Sequence, residues 1–270
     1  MNAPVPSIAP ELRALLRRLR LGKLLDTLPE RAALARTHDL SHLDFLEQVL
    51  SDEVARRDLS GASLRARAAH LDPAMVLEAW DETAAVSYDR AIWSELVSLR
   101  FVEAAQNVVV LGPVGVGKTF LATALGHIAC RRRVGVHFER ADRLHKRLKA
   151  CRLDGTYEAE MRKLIGVDLL IVDDVTLQPL DAVATSDFYD LVVERHRRAA
   201  TVFTSNRDTS EWLALMADPL LAQSAIDRVT SAAWELVLEG ESYRKREKPR
   251  LGVGEPIPGD GQSRRRRLPA

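Results

Sequence analysis

The run VVVLGPVGVGKT at residues 108–119 is the sequence feature that most limits the folds this chain can adopt. A wholly apolar strand candidate, Val108–Leu111, leads into a glycine-rich turn, and a helix rich in alanine and leucine follows. The turn fits the pattern G-x-x-x-x-G-K-[ST] at every fixed position. Its backbone N–H groups can turn inward around a phosphate, and the next helix presents its positive dipole end. A chance glycine turn is the alternative, but the strand before and the helix after favour a phosphate-binding loop (P-loop).

Lys118 and Thr119 carry the side-chain chemistry of this loop. A lysine here can reach the β- and γ-phosphates of a nucleotide, and a threonine can place its hydroxyl on Mg²⁺. The loop residues predicted to surround the phosphates are Gly112, Pro113, Gly115 and Gly117. The sequence therefore predicts a nucleotide site that also uses Mg²⁺.

A second strand candidate, within LLIVDDV at residues 169–175, ends in two acids. A carboxylate at the tip of a central strand can hold the Mg²⁺ shell, which we assign to Asp173. Asp174 would then polarise the attacking water, although its side chain is shorter than the glutamate often found there. The alternative is a solvated strand end, but a position about fifty residues after a P-loop favours the metal and catalytic roles.

Two further residues are candidates for contacts to the γ-phosphate. Asn206 follows the strand candidate Thr201–Thr204 and could orient the attacking water, unless it belongs to an ordinary turn. Arg228 stands near the end of a predicted helix and could reach the γ-phosphate of a neighbouring subunit. Its alternative is an ion pair within the chain, to Asp227 or Glu235.

The segment ERADRLHKRLKACRL at residues 139–153 is basic on nearly every exposed turn. Its narrow apolar stripe consists of Ala141, Leu144, Leu148 and Cys151. A basic surface with few acids is typical of contact with a nucleic-acid backbone, and the absence of interleaved aromatic residues favours sequence-independent contact. The candidate DNA-binding residues are Arg140, Arg143, Lys146, Arg147, Lys149 and Arg152. The alternative is a solvated helix face.

Strand and helix candidates alternate from Asn107 onward, which predicts an α/β fold with a five-stranded parallel sheet between helices. A small all-helical domain precedes it, and its third helix is expected to be capped by Ser41 and closed by Gly61. In that helix Leu43, Leu46, Val49 and Leu50 are expected to face inward. We predict a helical domain at 1–65, a linker at 66–88, the nucleotide-binding domain at 89–250 and a disordered basic tail at 251–270.

The composition bears on the cellular location of the protein. Two cysteines give no disulfide framework, and no stretch of eighteen apolar residues or apolar signal core is present. We therefore expect a cytoplasmic protein that does not cross a membrane. The formal net charge is only +1, but the arginine-rich end is basic, and it binds nucleic acid or merely aids solubility.

The motifs GPVGVGKT, LLIVDD and TSN, with the run DPLLAQSAIDR…GESYR, together resemble the IstB-like ATPases. These are transposition helper proteins of bacterial insertion sequences, related to DnaC-like helicase loaders and DnaA-type initiators, and the resemblance covers about residues 10–250. It implies an AAA+ fold with a minimal lid, ATP as ligand, and a helix after the second strand that contacts DNA. One departure is Thr176, because relatives commonly have a glycine in the turn after the acids.

The resemblance also implies ATP-dependent self-assembly on duplex DNA, DNA remodelling, recruitment or activation of a cognate transposase, and disassembly upon ATP hydrolysis. Three other functions remain open. A replicative helicase loader shares every nucleotide motif and differs in the partner chosen by its N-terminal domain. A small-molecule kinase would need an acceptor pocket and an arginine-rich lid, and an architectural DNA-binding protein would use the nucleotide only structurally.

Overall fold

The computed structural model describes residues 8–83 and 86–243. Its N-terminal part is helical, as predicted: α1 (Pro10–Arg18), α2 (Leu24–Thr37) and α3 (His42–Ala68). The Ser41 hydroxyl caps α3 by accepting a hydrogen bond from the Asp44 N–H, as expected from the sequence. No helix in the described parts of the chain is long and apolar enough to cross a membrane. The predicted disordered tail at 251–270 lies outside the described residues.

The third helix differs from the expectation in two ways. It continues through Gly61 to Ala68, because a mid-helix glycine costs only about 1 kcal/mol and the small side chains after it let α3 pack on α6. The expected inward face is wrong for three of four residues. Val49 is buried, whereas Leu43, Leu46 and Leu50 are exposed. The buried residues of α3 are instead Val49 and Glu53 in its first half and Ala62 and Ala66 in its second half, and the helix packs on both α2 and α6.

The rest of the described chain alternates strands with helices around a five-stranded sheet. The strands are β1 (Val86–Ser87), β2 (Val108–Leu111), β3 (Val136–Arg140), β4 (Leu169–Asp173), β5 (Ala200–Ser205), β6 (Trp234–Val237) and β7 (Glu239–Gly240). The helices are α4 (Arg90–Ser98), α5 (Arg100–Glu103), α6 (Lys118–Arg131), α7 (Ala141–Asp154), α8 (Tyr157–Gly166), α9 (Ala182–Arg195) and α10 (Pro219–Thr230).

All pairs in the main sheet are parallel, in the order β3-β4-β5-β2-β6. The strands β2, β4 and β5 are buried along their whole length, which explains the apolar sequence of β2 and the four apolar residues that begin β4. One core lies under α4–α6 and the end of α3, and a second lies under α7–α10. The predicted α/β fold is therefore confirmed. Strands β1 and β7 form a separate antiparallel pair.

Ala66, Ala69 and Leu71, which precede the nucleotide-binding part of the chain, belong to the first of these cores. The carbonyl of Ala69 also accepts a hydrogen bond from the Phe138 N–H in β3. The helical segment and the sheet are thus joined by packed side chains and by a backbone contact at this point. The exact division into domains stays a prediction.

A buried arginine ties the amino ends of the central strands to the preceding helices. Arg195 donates hydrogen bonds to the carbonyls of Leu164, Ile165, Val167 and Ala200 and to the hydroxyl of Thr201. Burial lowers the pKa of its guanidinium to about 10. The fork of five donors satisfies the last carbonyls of α8, which no neutral side chain of this size can do.

Replacement of Arg195 by Met should lower the free energy of unfolding by about 2–4 kcal/mol, because several buried carbonyls lose their donors. The measurement is urea unfolding followed by circular dichroism. Arg198→Met is the matched control, since Arg198 is exposed and its ion-pair partner among the described residues is Glu194 on the surface. It should change the free energy of unfolding by less than about 0.5 kcal/mol. Equal effects of the two substitutions would contradict the structural role of Arg195.

Candidate nucleotide site

The site is assembled at the edge of the sheet where the strands end, which we call the carboxyl edge. Strand β5 pairs with β2 on one side and β4 on the other, with Leu111 opposite Ser205 and Val172 opposite Phe203. Gly112, Asn206 and the two acids of β4 therefore emerge side by side. The parallel topology brings together the sequence-predicted P-loop, acids and Asn206.

Two P-loop positions require glycine, because the backbone there is left-handed and no space remains for a side chain. Gly112 and Gly117 have φ values of 144° and 102°. A Cβ atom on Gly112 would lie 2.3 Å from the Leu238 carbonyl oxygen, and one on Gly117 would lie 2.7 Å from the ring of Trp80. Side chains at these two positions are thus excluded by both conformation and packing.

Lys118 points into the loop. Its side chain is buried, and its Nζ donates hydrogen bonds to the carbonyls of Gly112 at 2.8 Å and Pro113 at 2.9 Å. The ammonium group is therefore held at the start of the loop, at the end of the sheet that carries the acids. This is the position from which a lysine can reach the β- and γ-phosphates of a bound nucleotide.

Asp173 lies at the centre of a buried hydroxyl–carboxylate cluster. Its Oδ1 accepts hydrogen bonds from the hydroxyls of Thr119 at 2.9 Å and Thr204 at 2.6 Å. Burial raises the pKa of this carboxyl above its ordinary value, so a cation would stabilise the charged form. A hydroxyl and a carboxylate oxygen in contact are hard oxygen ligands of the type that Mg²⁺ prefers. Thr119 and Asp173 therefore fit the predicted metal role.

Thr204 also positions the second acid. Its hydroxyl accepts a hydrogen bond from the backbone N–H of Asp174 at 2.9 Å, while its carbonyl accepts one from the N–H of Val175. Asp174 has a φ of 56°, a left-handed conformation that aspartate tolerates better than most residues. The chain thus turns sharply after β4 and leaves the Asp174 side chain partly exposed beside the buried Asp173.

The turn after the acids is fixed by Thr176. Its buried hydroxyl lies 2.9 Å from the hydroxyl of Ser205, which also accepts a hydrogen bond from the indole N–H of Trp212. Thr176 therefore ties this turn to β5. The sequence pointed to Asn206 at this strand end but missed the roles of Thr204 and Ser205. The signal was the pair of hydroxyl residues that interrupts an otherwise apolar strand.

Arg228 lies far from the P-loop of its own chain. The Asn107 side chain, immediately before β2, donates hydrogen bonds to the carbonyls of Arg228 and Val229. Arg228 is thus at the opposite edge of the sheet from Gly112, which follows β2. Its guanidinium donates to the carbonyl and hydroxyl of Ser224, and among the described residues it forms no ion pair with Asp227 or Glu235. Its side chain is only half-buried.

The basic segment forms α7, and its apolar stripe faces inward, with Ala141, Leu144 and Leu148 buried. The fold supplies more acids around this helix than the segment itself contains. Arg147 pairs with Glu139 and Glu160, and Arg152 pairs with the buried Asp187. These two guanidinium groups are largely engaged within the chain.

The other predicted DNA-binding residues are more accessible. Lys146 and Lys149 are mostly exposed and make only long contacts, of 3.8 Å to Asp142 and 3.7 Å to Asp181. Arg143 is exposed and forms no ion pair among the described residues. Arg140, at the junction of β3 and α7, lies 3.9 Å from Asp174 and also pairs with Asp142. A basic side chain thus connects α7 directly to an acid of the nucleotide site.

A cluster of aromatic side chains beside the P-loop was not predicted from the sequence to belong to the site. Trp80 packs on Gly117, with its ring centroid 5.3 Å from that of Phe120 and 6.1 Å from that of Tyr88. From the other side, the Tyr243 N–H donates to the Gly115 carbonyl at 2.9 Å. Segments from before and after the sheet therefore enclose the loop. Neither contact could be predicted from a local sequence pattern, because both depend on distant parts of the chain.

Comparison with known proteins agrees with this geometry. The chain is 35% identical to an ATP-binding protein described for an insertion sequence of Mycobacterium tuberculosis, over 89% of this chain and 96% of the relative. It is also 35% identical to that of insertion sequence IS21 from Pseudomonas aeruginosa, over 90% and 92% of the two chains. The crystal structure of DnaI superposes with a TM-score of 0.53 at 22% identity, covering 61% of this chain and 90% of that one.

The solved structure supports the fold alone, whereas the sequence relatives support the family. The family profile of the IstB-like ATP binding protein matches residues 14–250, which span the helical segment, the P-loop, both acids, Asn206 and Arg228. The chain therefore belongs to the IstB-like ATP-binding protein family.

Proposed function

We propose that this protein is an ATP-hydrolysing transposition helper that assembles on duplex DNA, remodels it and recruits or activates a cognate transposase. The observation that carries the proposal is the contact between Arg140 and Asp174, which joins the basic helix α7 to the candidate catalytic acid. Relatives named for insertion sequences support the setting. The alternative function is a DnaC-like helicase loader, which would differ in the partner that the N-terminal helices bind.

The site residues divide the hydrolysis step among themselves. Lys118 and the loop N–H groups would bind the phosphates, and Thr119 and Asp173 would hold Mg²⁺, which supplies charge neutralisation when bound. Asp174 would accept the proton of the attacking water as the bond between the β- and γ-phosphates breaks. General-base catalysis of this kind contributes about 10²–10⁴-fold to the rate. Asn206, which directly follows β5, would orient that water with its amide.

In the assembly, ATP hydrolysis would require residues from two neighbouring copies rather than from one chain. Arg228 is remote from its own P-loop, so its charge can serve a γ-phosphate only in another copy. ATP would then bind more tightly in the assembled state and favour it. Repeated α7 helices along one DNA add electrostatic contacts that offset the bending of a short duplex, which costs about 1–6 kcal/mol. Hydrolysis at Asp174 would loosen the interface.

The test is the mass of the assembly on a duplex of about 50 base pairs, well below the persistence length of DNA. We expect a large complex by light scattering with ATP and Mg²⁺, and none with ADP or without nucleotide. Lys118→Ala should prevent assembly, because the phosphates lose their cation. Asp174→Asn should assemble but hydrolyse ATP at least about 100-fold more slowly. A protein that stays monomeric or dimeric in every condition, or a Lys118→Ala variant that assembles normally, would refute the proposal.

Arg140 should couple DNA binding to hydrolysis. DNA phosphates compete with Asp174 for its guanidinium, so DNA binding would free the acid. We expect Arg140→Ala to raise the ATPase rate without DNA several-fold and to abolish further stimulation by DNA. Arg143→Ala, in the first turn of the helix that follows Arg140, is the matched control: it should weaken DNA binding, lower the salt dependence by about one phosphate contact, and leave the DNA-free rate unchanged. Identical profiles for the two variants would contradict the coupling.

Arg228 should act on the neighbouring subunit. Alone, Arg228→Ala and Lys118→Ala should each have little ATPase activity on DNA. A mixture should regain part of it, because some interfaces combine an intact P-loop from one variant with an intact Arg228 from the other. The measurement is ATP turnover at a series of mixing ratios, with Arg198→Ala replacing Arg228→Ala as the control. Failure of the mixture to exceed the sum of the two separate rates would place Arg228 outside the catalytic interface.

A further inference from the structure

A small cavity, which we call the α7–α9 cavity, lies between α7, the turn after the acids of β4 and the start of α9. Its volume is about 220 Å³, and Asp174 lines one of its walls. Pockets that hold drug-sized molecules measure about 300–1,000 Å³, so this cavity suits a single head group rather than a whole ligand. The P-loop does not line it, and it is therefore distinct from the nucleotide site.

Two residues that line the cavity have a buried polar atom without a hydrogen-bond partner among the described residues. These atoms are Oδ2 of Asp187 and Nδ1 of His145. Asp187 is only 1% exposed, and its other oxygen, Oδ1, already accepts a hydrogen bond from the Tyr157 hydroxyl at 2.8 Å and pairs with Arg152. Because a buried polar atom without a partner is costly, folded proteins rarely leave one without a water, an ion or a ligand.

The chemistry of these two atoms defines the missing group. Burial lowers the pKa of His145, which favours the neutral ring, and with the proton on Nε2 the Nδ1 atom is an acceptor. The carboxylate oxygen of Asp187 is an acceptor as well. A ligand that satisfies both atoms must therefore donate hydrogen bonds, and a charged donor forms the stronger bond with a carboxylate.

The rest of the lining also favours a positive charge. Its charged residues are four aspartates and two lysines: Asp142, Asp174, Asp181, Asp187, Lys146 and Lys149. The ammonium groups of the two lysines lie 3.8 Å from Asp142 and 3.7 Å from Asp181, and both lysine side chains are mostly exposed. Both ammonium groups thus lie beside these rim acids and leave the Oδ2 atom of Asp187 without a donor.

An organic cation fits the cavity better than a metal ion. No group of three or more His, Cys, Asp or Glu side chains within the described ranges could hold a metal. The walls instead include apolar side chains, of which Leu177 and Val183 are 46% and 41% exposed. An apolar rim above buried acceptors matches a ligand with an aliphatic stem and a charged head, as in arginine and lysine side chains.

We propose that the α7–α9 cavity binds the guanidinium or ammonium head of an aliphatic cation, whose donors reach Asp187 and His145. The head group belongs to a basic side chain of another protein or to a free amine. When bound, it joins α7 to α9 and to the turn that follows Asp174. The site uses neither the P-loop nor Arg228, so it goes beyond the proposed function and does not depend on it.

The experiment follows the histidine ring signals of the full-length chain by NMR while N-acetyl-arginine amide is added, without nucleotide or DNA. The ionic strength is held constant, because salt screens charged contacts. The chain has seven histidines, and the His145 signals are those that disappear in His145→Gln. They should shift in a saturable way. N-acetyl-citrulline amide has the same shape without the charge and should bind at least about tenfold more weakly.

Three variants test the position of the ligand. Asp187→Asn should weaken binding at least about tenfold, because the buried charge is lost. Val183→Trp should block the rim while leaving the contacts of Asp187 intact, so it tests the site even if Asp187→Asn does not fold. Lys149→Gln should strengthen binding several-fold, since a charge of the same sign as the ligand is removed. Asp190→Asn, on the same helix but outside the lining, is the matched control and should leave binding unchanged.

A comparison with agmatine distinguishes the two sources of the cation. Agmatine carries the same guanidinium head without a peptide backbone, so tighter binding of agmatine would support a free amine. Tighter binding of N-acetyl-arginine amide would support a protein side chain. Equal binding of the arginine and citrulline compounds, equal effects of Asp187→Asn and Asp190→Asn, or no saturable shift of His145 would overturn the proposal and assign the cavity to water. Assembly on DNA with ATP is measured separately, so failure of one proposal does not affect the other.

Discussion

The position of β5 between β2 and β4 is the constraint on which the site depends. Strand β2 ends in the P-loop and β4 ends in the acids, but the two strands are not neighbours. The hydroxyl of Thr204 in β5 donates to Asp173 and accepts from the Asp174 N–H, and the hydroxyl of Thr119, after the P-loop, donates to the same carboxylate. Because side chains alternate along a strand, a slip of β5 by one residue would turn Thr204 away from both acids. Register in the buried sheet thus sets the chemistry at its edge.

Much of this arrangement could be predicted because its signals are local. An apolar strand followed by GPVGVGKT specifies a P-loop in any context, and LLIVDD places acids at the tip of a buried strand. Alternation of strands and helices then requires a parallel sheet, whose carboxyl edge collects these residues. The same reasoning failed where packing depends on distant segments. Trp80 beside Gly117 and Tyr243 beside Gly115 come from opposite ends of the fold.

The third helix shows why an amphipathic pattern did not give its buried face. Periodicity identifies an apolar row but not the surface that covers it, and α3 has more than one such row. Val49 and Glu53 are buried in its first half, small alanines are buried in its second half, and the leucine row remains exposed. A long helix that contacts two neighbours along different faces has no single interior side. The prediction assumed one interior, and the exposed leucines are the part of the pattern that folding of one chain does not use.

The basic helix α7 shows that the sequence alone also does not predict which charged side chains remain unpaired in the fold. The segment 139–153 is strongly basic in sequence, yet acids from β3, α8 and α9 approach it in the fold. Charges paired inside a chain add little to long-range attraction of DNA, so in the proposed function the accessible residues, Arg143, Lys146 and Lys149, would be the better phosphate contacts. Arg140 differs from both groups. Its distance of 3.9 Å from Asp174 leaves the pair weak enough for a phosphate to compete with it.

The proposed contact between copies joins unlike surfaces. In this contact, the carboxyl edge of one sheet would face Arg228 at the opposite edge of the next sheet. Such a contact translates and rotates one copy onto its neighbour in a single direction. A two-fold symmetric contact would satisfy one pair of copies and stop. A contact between unlike surfaces can instead continue along a DNA duplex, while ATP closes and hydrolysis opens the nucleotide interface.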